Sequence, residues 1–248
     1  MDGGAAKRIA AACVAPPAHR VVEIGAGTGA LTYALLAAGA DVAAIEIDTE
    51  LASVLRERDD LAAATIVEGD ALAYDYDAAG ETPWCAAGNL PYNVATALVS
   101  QWLALRHPPA RIVVMVQRDV ADRLTAAPGT PPYGSLTVAV SYAMAVRRAF
   151  VLGPGAFYPR PGVDSAVVVM ERHQKPPVDV RDRDFLLKVV RGAFAYRRKT
   201  LANSLSLALG IDRSRTQAAL AAANVDTEIR AEQLNLAAFG ALSDRLGV

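Results

Sequence analysis

Apolar positions in the first half of the chain alternate between two rhythms. Short β-branched or continuous apolar runs, Arg20–Ile24, Val42–Ile47, Thr65–Val67, Trp84–Ala87 and Arg111–Val116, read as strands. Between them the alanine- and leucine-rich stretches Ala30–Ala38, Glu50–Arg58 and Ala95–Leu105 read as helices. That order predicts an α/β fold, a parallel sheet wrapped by helices. Two further strand-like runs, Val138–Val146 and Ala166–Met170, are expected to extend the sheet as an antiparallel pair. Gly153-Pro154-Gly155, Pro159 and Pro161 between them predict an irregular loop.

After Lys175-Pro176-Pro177 the pattern turns wholly helical. Phe185, Leu186, Val189, Val190 and Phe194 recur at helical spacing, and helical stretches follow near Ser214–Asn224 and Arg230–Leu246. The expected organisation is an α/β domain over residues 1–175 and a small helical domain over residues 179–248.

A chain of 248 residues can bury a sizeable core without covalent staples. Cys13 and Cys85 lie far apart in apolar stretches, and His19, His107 and His173 lack ligand spacing, so neither a disulfide framework nor a metal site is expected. No apolar run reaches the roughly 20 residues of a membrane span and no signal peptide is visible, so we expect a cytoplasmic protein without membrane contact. Charge changes the picture more. Residues 1–105 carry 5 Lys+Arg against 14 Asp+Glu, whereas residues 106–248 carry 20 against 12. An acidic first half suits a cationic cofactor, and a basic second half suits nucleic acid.

The candidate chemistry sits where strands end. The first strand runs into Gly25-Ala26-Gly27-Thr28-Gly29 and then a helix, a turn in which glycines let backbone approach a ligand. Its G-x-G-x-G spacing differs from the G-x-G-x-x-G of dinucleotide enzymes. The second strand delivers Glu46 about 20 residues beyond the first glycine, the position from which such folds bind ribose hydroxyls. The third delivers Asp70, a carboxylate suited to accept from an adenine amine. An acidic rim fits a cofactor carrying sulfonium and ammonium charges and does not fit a pyrophosphate. The fourth strand ends in Asn89-Leu90-Pro91-Tyr92, where Pro91 forces Leu90 into an extended conformation. The Asn89 side-chain oxygen and a carbonyl near Leu90 could hold the hydrogens of an aromatic amine and turn its lone pair toward a methyl sulfonium. Tyr92 could stack on a base taken out of its helix.

With these stretches go Tyr133-Gly134-Ser135-Leu136, Phe157-Tyr158-Pro159-Arg160-Pro161-Gly162-Val163-Asp164-Ser165 and Phe194-Ala195-Tyr196-Arg197-Arg198-Lys199-Thr200-Leu201. As a set, over almost the whole chain, they resemble the rRNA adenine N6-dimethyltransferases, and most closely the branch acting on small-subunit rRNA. The resemblance implies a Rossmann-like S-adenosylmethionine-dependent methyltransferase domain with a small C-terminal helical domain. It implies that Gly25, Gly27, Glu46, Asp70 and Asn89 bind S-adenosylmethionine, that Asn89, Leu90, Pro91 and Tyr92 form the catalytic segment, and that Tyr92 and Phe157 sandwich the target adenine. The implied substrate is a pair of adjacent adenosines in the 3′-terminal hairpin of small-subunit (16S) rRNA in a pre-30S particle, bound by a monomer.

Arg197, Arg198 and Lys199, expected on a helix, and Arg147, Arg148 and Arg160, expected around the target pocket, are the candidate phosphate contacts. Family members carry a Gly-Gln-Asn-Phe-Leu-like segment over the cofactor, and Met1-Asp2-Gly3-Gly4 aligns just after it. The chain as written is therefore expected to hold the cofactor less tightly than a chain carrying that segment. Two other functions fit the same residues less well. A large-subunit (23S) rRNA dimethyltransferase conferring macrolide resistance shares the glycine loop and the asparagine motif. A ribosome-assembly binding protein without catalysis would have no need of Asn89, Tyr92 and Glu46.

Overall fold

The computed structural model describes residues 3–79, 81–156 and 162–247, without the side chains of residues 79, 92 and 93. Its seven strands are β1 (Arg20–Ile24), β2 (Asp41–Glu46), β3 (Thr65–Glu68), β4 (Trp84–Asn89), β5 (Arg111–Gln117), β6 (Met144–Leu152) and β7 (Ser165–Arg172). They form one sheet in the order β3-β2-β1-β4-β5-β7-β6. Strand β1 pairs in parallel with both β2 and β4, opposing Ile24 to Ile45 on one side and to Gly88 on the other. The strand order reverses there, and in open α/β sheets ligands bind outside the carboxyl ends of the strands at such a point. Strand β7 runs antiparallel to β5, with Val114 opposite Val168.

Helices α1 (Gly3–Cys13), α2 (Ala30–Ala37), α3 (Thr49–Arg56) and α4 (Tyr92–Ala104) accompany the parallel strands. Val113, Met115, Val167 and Val169 of the sheet pack in one buried cluster with Ile9, Cys13, Leu31, Leu35 and Leu55. The central strands are buried almost throughout, which is why they read as unbroken apolar runs rather than alternating ones. Helix α1 is not among the elements expected from sequence. Its Ala5, Ala6, Ile9, Ala10 and Cys13 are buried at helical spacing, but mostly small residues make that stripe weak in sequence.

The remaining helices are α5 (Arg118–Leu124), α6 (Ser135–Ala143), α7 (Arg183–Phe194), α8 (Leu201–Leu209), α9 (Arg213–Ala222) and α10 (Leu236–Leu246). The expected strand Val138–Val146 is therefore wrong: its first part belongs to α6, and the strand runs over Met144–Leu152. Val138 and Tyr142 lie one helical turn apart and are buried with α7 residues, so packing overrides the β-branched composition. Arg230–Leu246 is also broken, into a 3-10 turn at Ala231–Gln233 and α10, whose start Asn235 caps by accepting from Ala238 N at 2.9 Å.

The chain divides into two compact units, residues 1–121 with 145–172, and residues 122–144 with 173–248. The second has its own core, in which Phe194 lies between Tyr133 and Phe239 with ring centroids 6.1 and 6.0 Å away. Arg197, Arg198 and Lys199 are not on a helix, as expected, but on the turn between α7 and α8. The Ser204 hydroxyl explains that stop. It donates to Gly192 O at 2.8 Å and accepts from Tyr196 N at 3.3 Å, taking the backbone groups that would have continued α7. Among the described residues no helix is long and apolar enough to cross a membrane.

Candidate active site

Four strand ends meet around the point where the sheet order reverses. After β1 the backbone passes through Gly25 and Gly27 with φ of +71° and +56°, values that glycine adopts without the strain a Cβ would add. A Cβ at either residue would meet nothing within 4 Å, so the glycines border open space. The loop is held from two sides. Gly27 N donates to Glu46 Oε2 at 2.7 Å, and Arg58 Nη1 donates to Thr28 O at 2.5 Å while its other nitrogens engage Asp60. Arg58, at the turn after α3, carries no signal in the sequence, because its partner is a main-chain carbonyl 30 residues away.

Glu46 is 6% exposed at the end of β2. Its Oε1 accepts from Asp48 N at 3.1 Å, so each carboxylate oxygen is fixed by one backbone donor. A carboxylate offers about four lone-pair sites, and two remain for hydroxyl donors. The next residue, Ile47, is 69% exposed, an unusual place for a large apolar side chain beside a buried acid. Asp70, just beyond β3, is exposed. Its Oδ1 accepts from Leu72 N at 2.9 Å, and no described residue donates to Oδ2. Leu72 is 41% exposed, so each acid has an exposed apolar neighbour. In sequence both neighbours pass for ordinary core residues.

Two residues before the glycine loop, on β1, a carboxyl lies buried. Glu23, 1% exposed, has Oε2 buried without a hydrogen-bond partner among the described residues, and the polar groups of Thr32 on α2 lie beside its carboxyl. Burial pushes the Glu23 carboxyl up to about 7, and the Glu46 charge adds to the rise while the polar groups of Thr32 oppose it.

Asn89 ends β4 opposite Met115 of β5, exposed, and its side-chain amide makes no hydrogen bond to a described residue. Gly88 before it has no room for a side chain. A Cβ there would stand 2.5 Å from Ile24 O, a backbone atom that cannot step aside. The segment that follows is anchored, with Leu90 N donating to Met115 O at 2.9 Å and Pro91 O accepting from Ala95 N at 3.0 Å at the start of α4. The structure thus brings Gly25, Gly27, Glu46, Asp70, Asn89, Leu90 and Pro91 to adjacent strand ends of one sheet. Phe157 and Arg160 lie outside the described residues, as does the side chain of Tyr92. Arg147 and Arg148 are exposed on β6, and Arg197, Arg198 and Lys199 are exposed on their turn beside Tyr196, itself 44% exposed. Phe194, at the end of α7, is partly buried against the core of the second unit.

The family model described as ribosomal RNA adenine dimethylase matches residues 2–246. The chain belongs to that family. It is 39% identical over 248 residues to the ribosomal RNA small subunit methyltransferase A of Pseudomonas fluorescens, covering 99% of this chain and 90% of that protein. The protein of the same name from Streptococcus gordonii is 40% identical over 236 residues, covering 91% and 81%. Among solved structures, the 23S rRNA methyltransferase ErmE superposes with a TM-score of 0.76 at 25% identity, covering 100% of this chain and 99% of that one. A dimethyladenosine transferase from Plasmodium falciparum gives 0.74 at 22%, covering 96% and 94%, and shares the fold.

Proposed function

We propose that this chain transfers methyl groups from S-adenosylmethionine to the N6 amines of two adjacent adenosines in the 3′-terminal hairpin of small-subunit (16S) rRNA, acting on a pre-30S particle. One observation carries the reading: a glycine loop, a backbone-fixed carboxylate, and a second acid oxygen and an asparagine amide that have no partner among the described residues lie on adjacent strand ends at the reversal of the sheet.

The residues fit the cofactor. Gly25 and Gly27 leave open space beside the backbone, Glu46 retains acceptor capacity for two ribose hydroxyls, and Asp70 Oδ2 suits the adenine amine. Ile47 and Leu72 offer apolar surface to an adenine ring. The orphaned Glu23 Oε2 calls for a donor, which an ammonium group or a water would provide. When bound, S-adenosylmethionine supplies a methyl group made electrophilic by its sulfonium. The protein's task is to present the nucleophile. An aromatic amine is a poor one because its lone pair is shared with the ring, and acceptors placed for its hydrogens, the Asn89 oxygen and the Leu90 carbonyl, would localise that pair. A group already fixed by the fold needs no reorganisation during reaction, and Asn89 stands on the last residue of a paired strand. Tyr92 and Phe157 would hold the extruded base. Arg147, Arg148, Arg160, Arg197, Arg198 and Lys199 would contact phosphates, the last three from the second compact unit.

Identity favours the small subunit over the large, at 39–40% with the small-subunit methyltransferases against 25% with the 23S enzyme. Mass spectrometry of rRNA from cells with and without the gene tests the reading. We expect dimethyladenosine to disappear from small-subunit rRNA alone. Its persistence there, or its loss from the large subunit, would overturn the assignment.

A further inference from the structure

The turn that carries Asp70 is short, surface-lying and unusually well tied down. Asp70 O accepts from Ala73 N at 3.0 Å, and Asp70 Oδ1 takes Leu72 N, so the turn closes on itself. Its next two carbonyls are then claimed by side chains from elsewhere: Ala71 O accepts from Tyr76 Oη at 2.8 Å, and Leu72 O from Gln101 Nε2 at 3.1 Å. Ala71 is buried and its carbonyl needs a partner, but Leu72 is exposed and water would solvate its carbonyl without help. A side chain spent on the exposed carbonyl, next to the one that satisfies the buried carbonyl, points to a geometric purpose.

The anchors of those side chains show what the turn is held against. Tyr76 is 2% exposed, stacked on Trp84 at 5.5 Å with an interplanar angle of 11°, and edge-on to Trp102 at 5.9 Å. Trp84 opens β4, the strand that ends in Asn89, while Gln101 and Trp102 lie on α4, which begins at Tyr92. Burial pushes the Tyr76 phenol up to about 12, so it remains a donor at neutral pH.

We propose that Tyr76 and Gln101 are positioning residues for the cofactor, fixing the Asp70 carboxylate for the adenine amine by fastening its turn to the strand and helix on either side of Asn89. This rests on the reading of Asp70 given above. Both side chains donate to carbonyls of the turn, so both act through Asp70 and share its consequences.

Calorimetric titration of the full chain with S-adenosylmethionine, and with its analogue bearing hypoxanthine in place of adenine, tests the inference. The wild-type protein should prefer the adenine form, and Asp70→Ala should abolish that preference. Tyr76→Phe and Gln101→Leu should each weaken binding of the adenine form about three- to tenfold, the effect of one neutral hydrogen bond. Each should also narrow the preference, and neither should cause further loss when added to Asp70→Ala. A stability role alone would lower the melting temperature and leave the preference intact. Undiminished preference in both single variants, or additive losses in the double variants, overturns the positioning role while leaving Asp70 in place. An unchanged preference in Asp70→Ala overturns the reading of Asp70 itself, and the positioning role with it. If Tyr76→Phe does not fold, Gln101→Leu, at a half-buried site on α4, carries the test alone.

Discussion

The strand ends around β1 and the turn after α7 are both polar and both candidates for function, yet they are built in opposite ways. On β1 and β2 carboxyl groups are buried, Glu46 6% exposed with a backbone donor on each oxygen and Glu23 1% exposed, while Asp70 and Asn89 stand exposed at the ends of β3 and β4. On the turn, Arg197, Arg198 and Lys199 are exposed. Fixed, desolvated groups act through geometry and resist screening, whereas exposed cations act through a field that salt weakens. The contrast implies that damage at the strand ends will be large and insensitive to salt, and that damage on the turn will be small per residue and dependent on it.

The largest expected effect is on chemistry. Asn89→Ala should lower single-turnover methylation on the order of 10²–10³-fold, the usual cost of removing one preorganised group, while leaving cofactor affinity within a few-fold. Turnover near the wild-type value would take Asn89 out of the mechanism and blur the contrast at its sharpest point.

Next comes Glu23, where the expected effect is on stability. Its carboxyl titrates near 7 in the fold against 4.5 when unfolded, so between those values the folded state binds more protons and stability falls as pH rises. The stability contribution is complete below about pH 4.5 and lost through about pH 7. Glu23→Gln, which cannot titrate, should gain on the wild type by on the order of 3 kcal/mol across that window in urea melts, since one pKa unit is about 1.4 kcal/mol. Parallel pH profiles for the two proteins would mean that Glu23 is not desolvated as described.

Glu46→Ala should weaken S-adenosylmethionine binding about 10–100-fold, because hydrogen bonds to a charged acceptor contribute about 1.5–3 kcal/mol each. It should do so equally in roughly 50 and 300 mM salt, a range over which exposed charges are increasingly screened. A strong salt dependence in calorimetry would contradict the fixed character assigned to this end of the molecule. Smallest per residue is the turn: replacing Arg197, Arg198 and Lys199 by alanine should reduce the log–log salt slope of particle binding by roughly 0.7–0.9 for each phosphate left unneutralised. An unchanged slope would mean that the three cations do not meet RNA.

The same contrast explains what the sequence disclosed. Strand ends were legible because a buried β-branched run must stop, and glycine, Glu46, Asp70 or Asn89 at the stop cannot be explained by packing alone. Gly88 was not legible, since its requirement comes from Ile24 O on a neighbouring strand. Arg58, Tyr76 and Gln101 were hidden for the same reason, each donating to a main-chain carbonyl that any residue would supply. The cations at 197–199 were correctly seen as a cluster and wrongly set on a helix. What breaks the helix is Ser204, a residue of the next helix acting through tertiary contact. Val138–Val146 failed because alternating apolar residues over a few positions suit a strand and a helix alike.

The reversal of strand order at β1 also has a consequence for how such a chain can be remodelled. Every residue proposed to touch the cofactor except Asn89 precedes residue 80, on β1, β2, β3 and their loops, while the asparagine segment enters on β4 from the other side. A graft that replaces β4, α4 and β5 as one cassette would exchange the nucleophile-presenting half and inherit the donor half intact. The seam carries at least three constraints: glycine must be kept at 88, where β4 lies against Ile24 O, a glutamine-like donor at 101 for the turn it reaches across the join, and aromatic rings at 84 and 102 for Tyr76 to pack on.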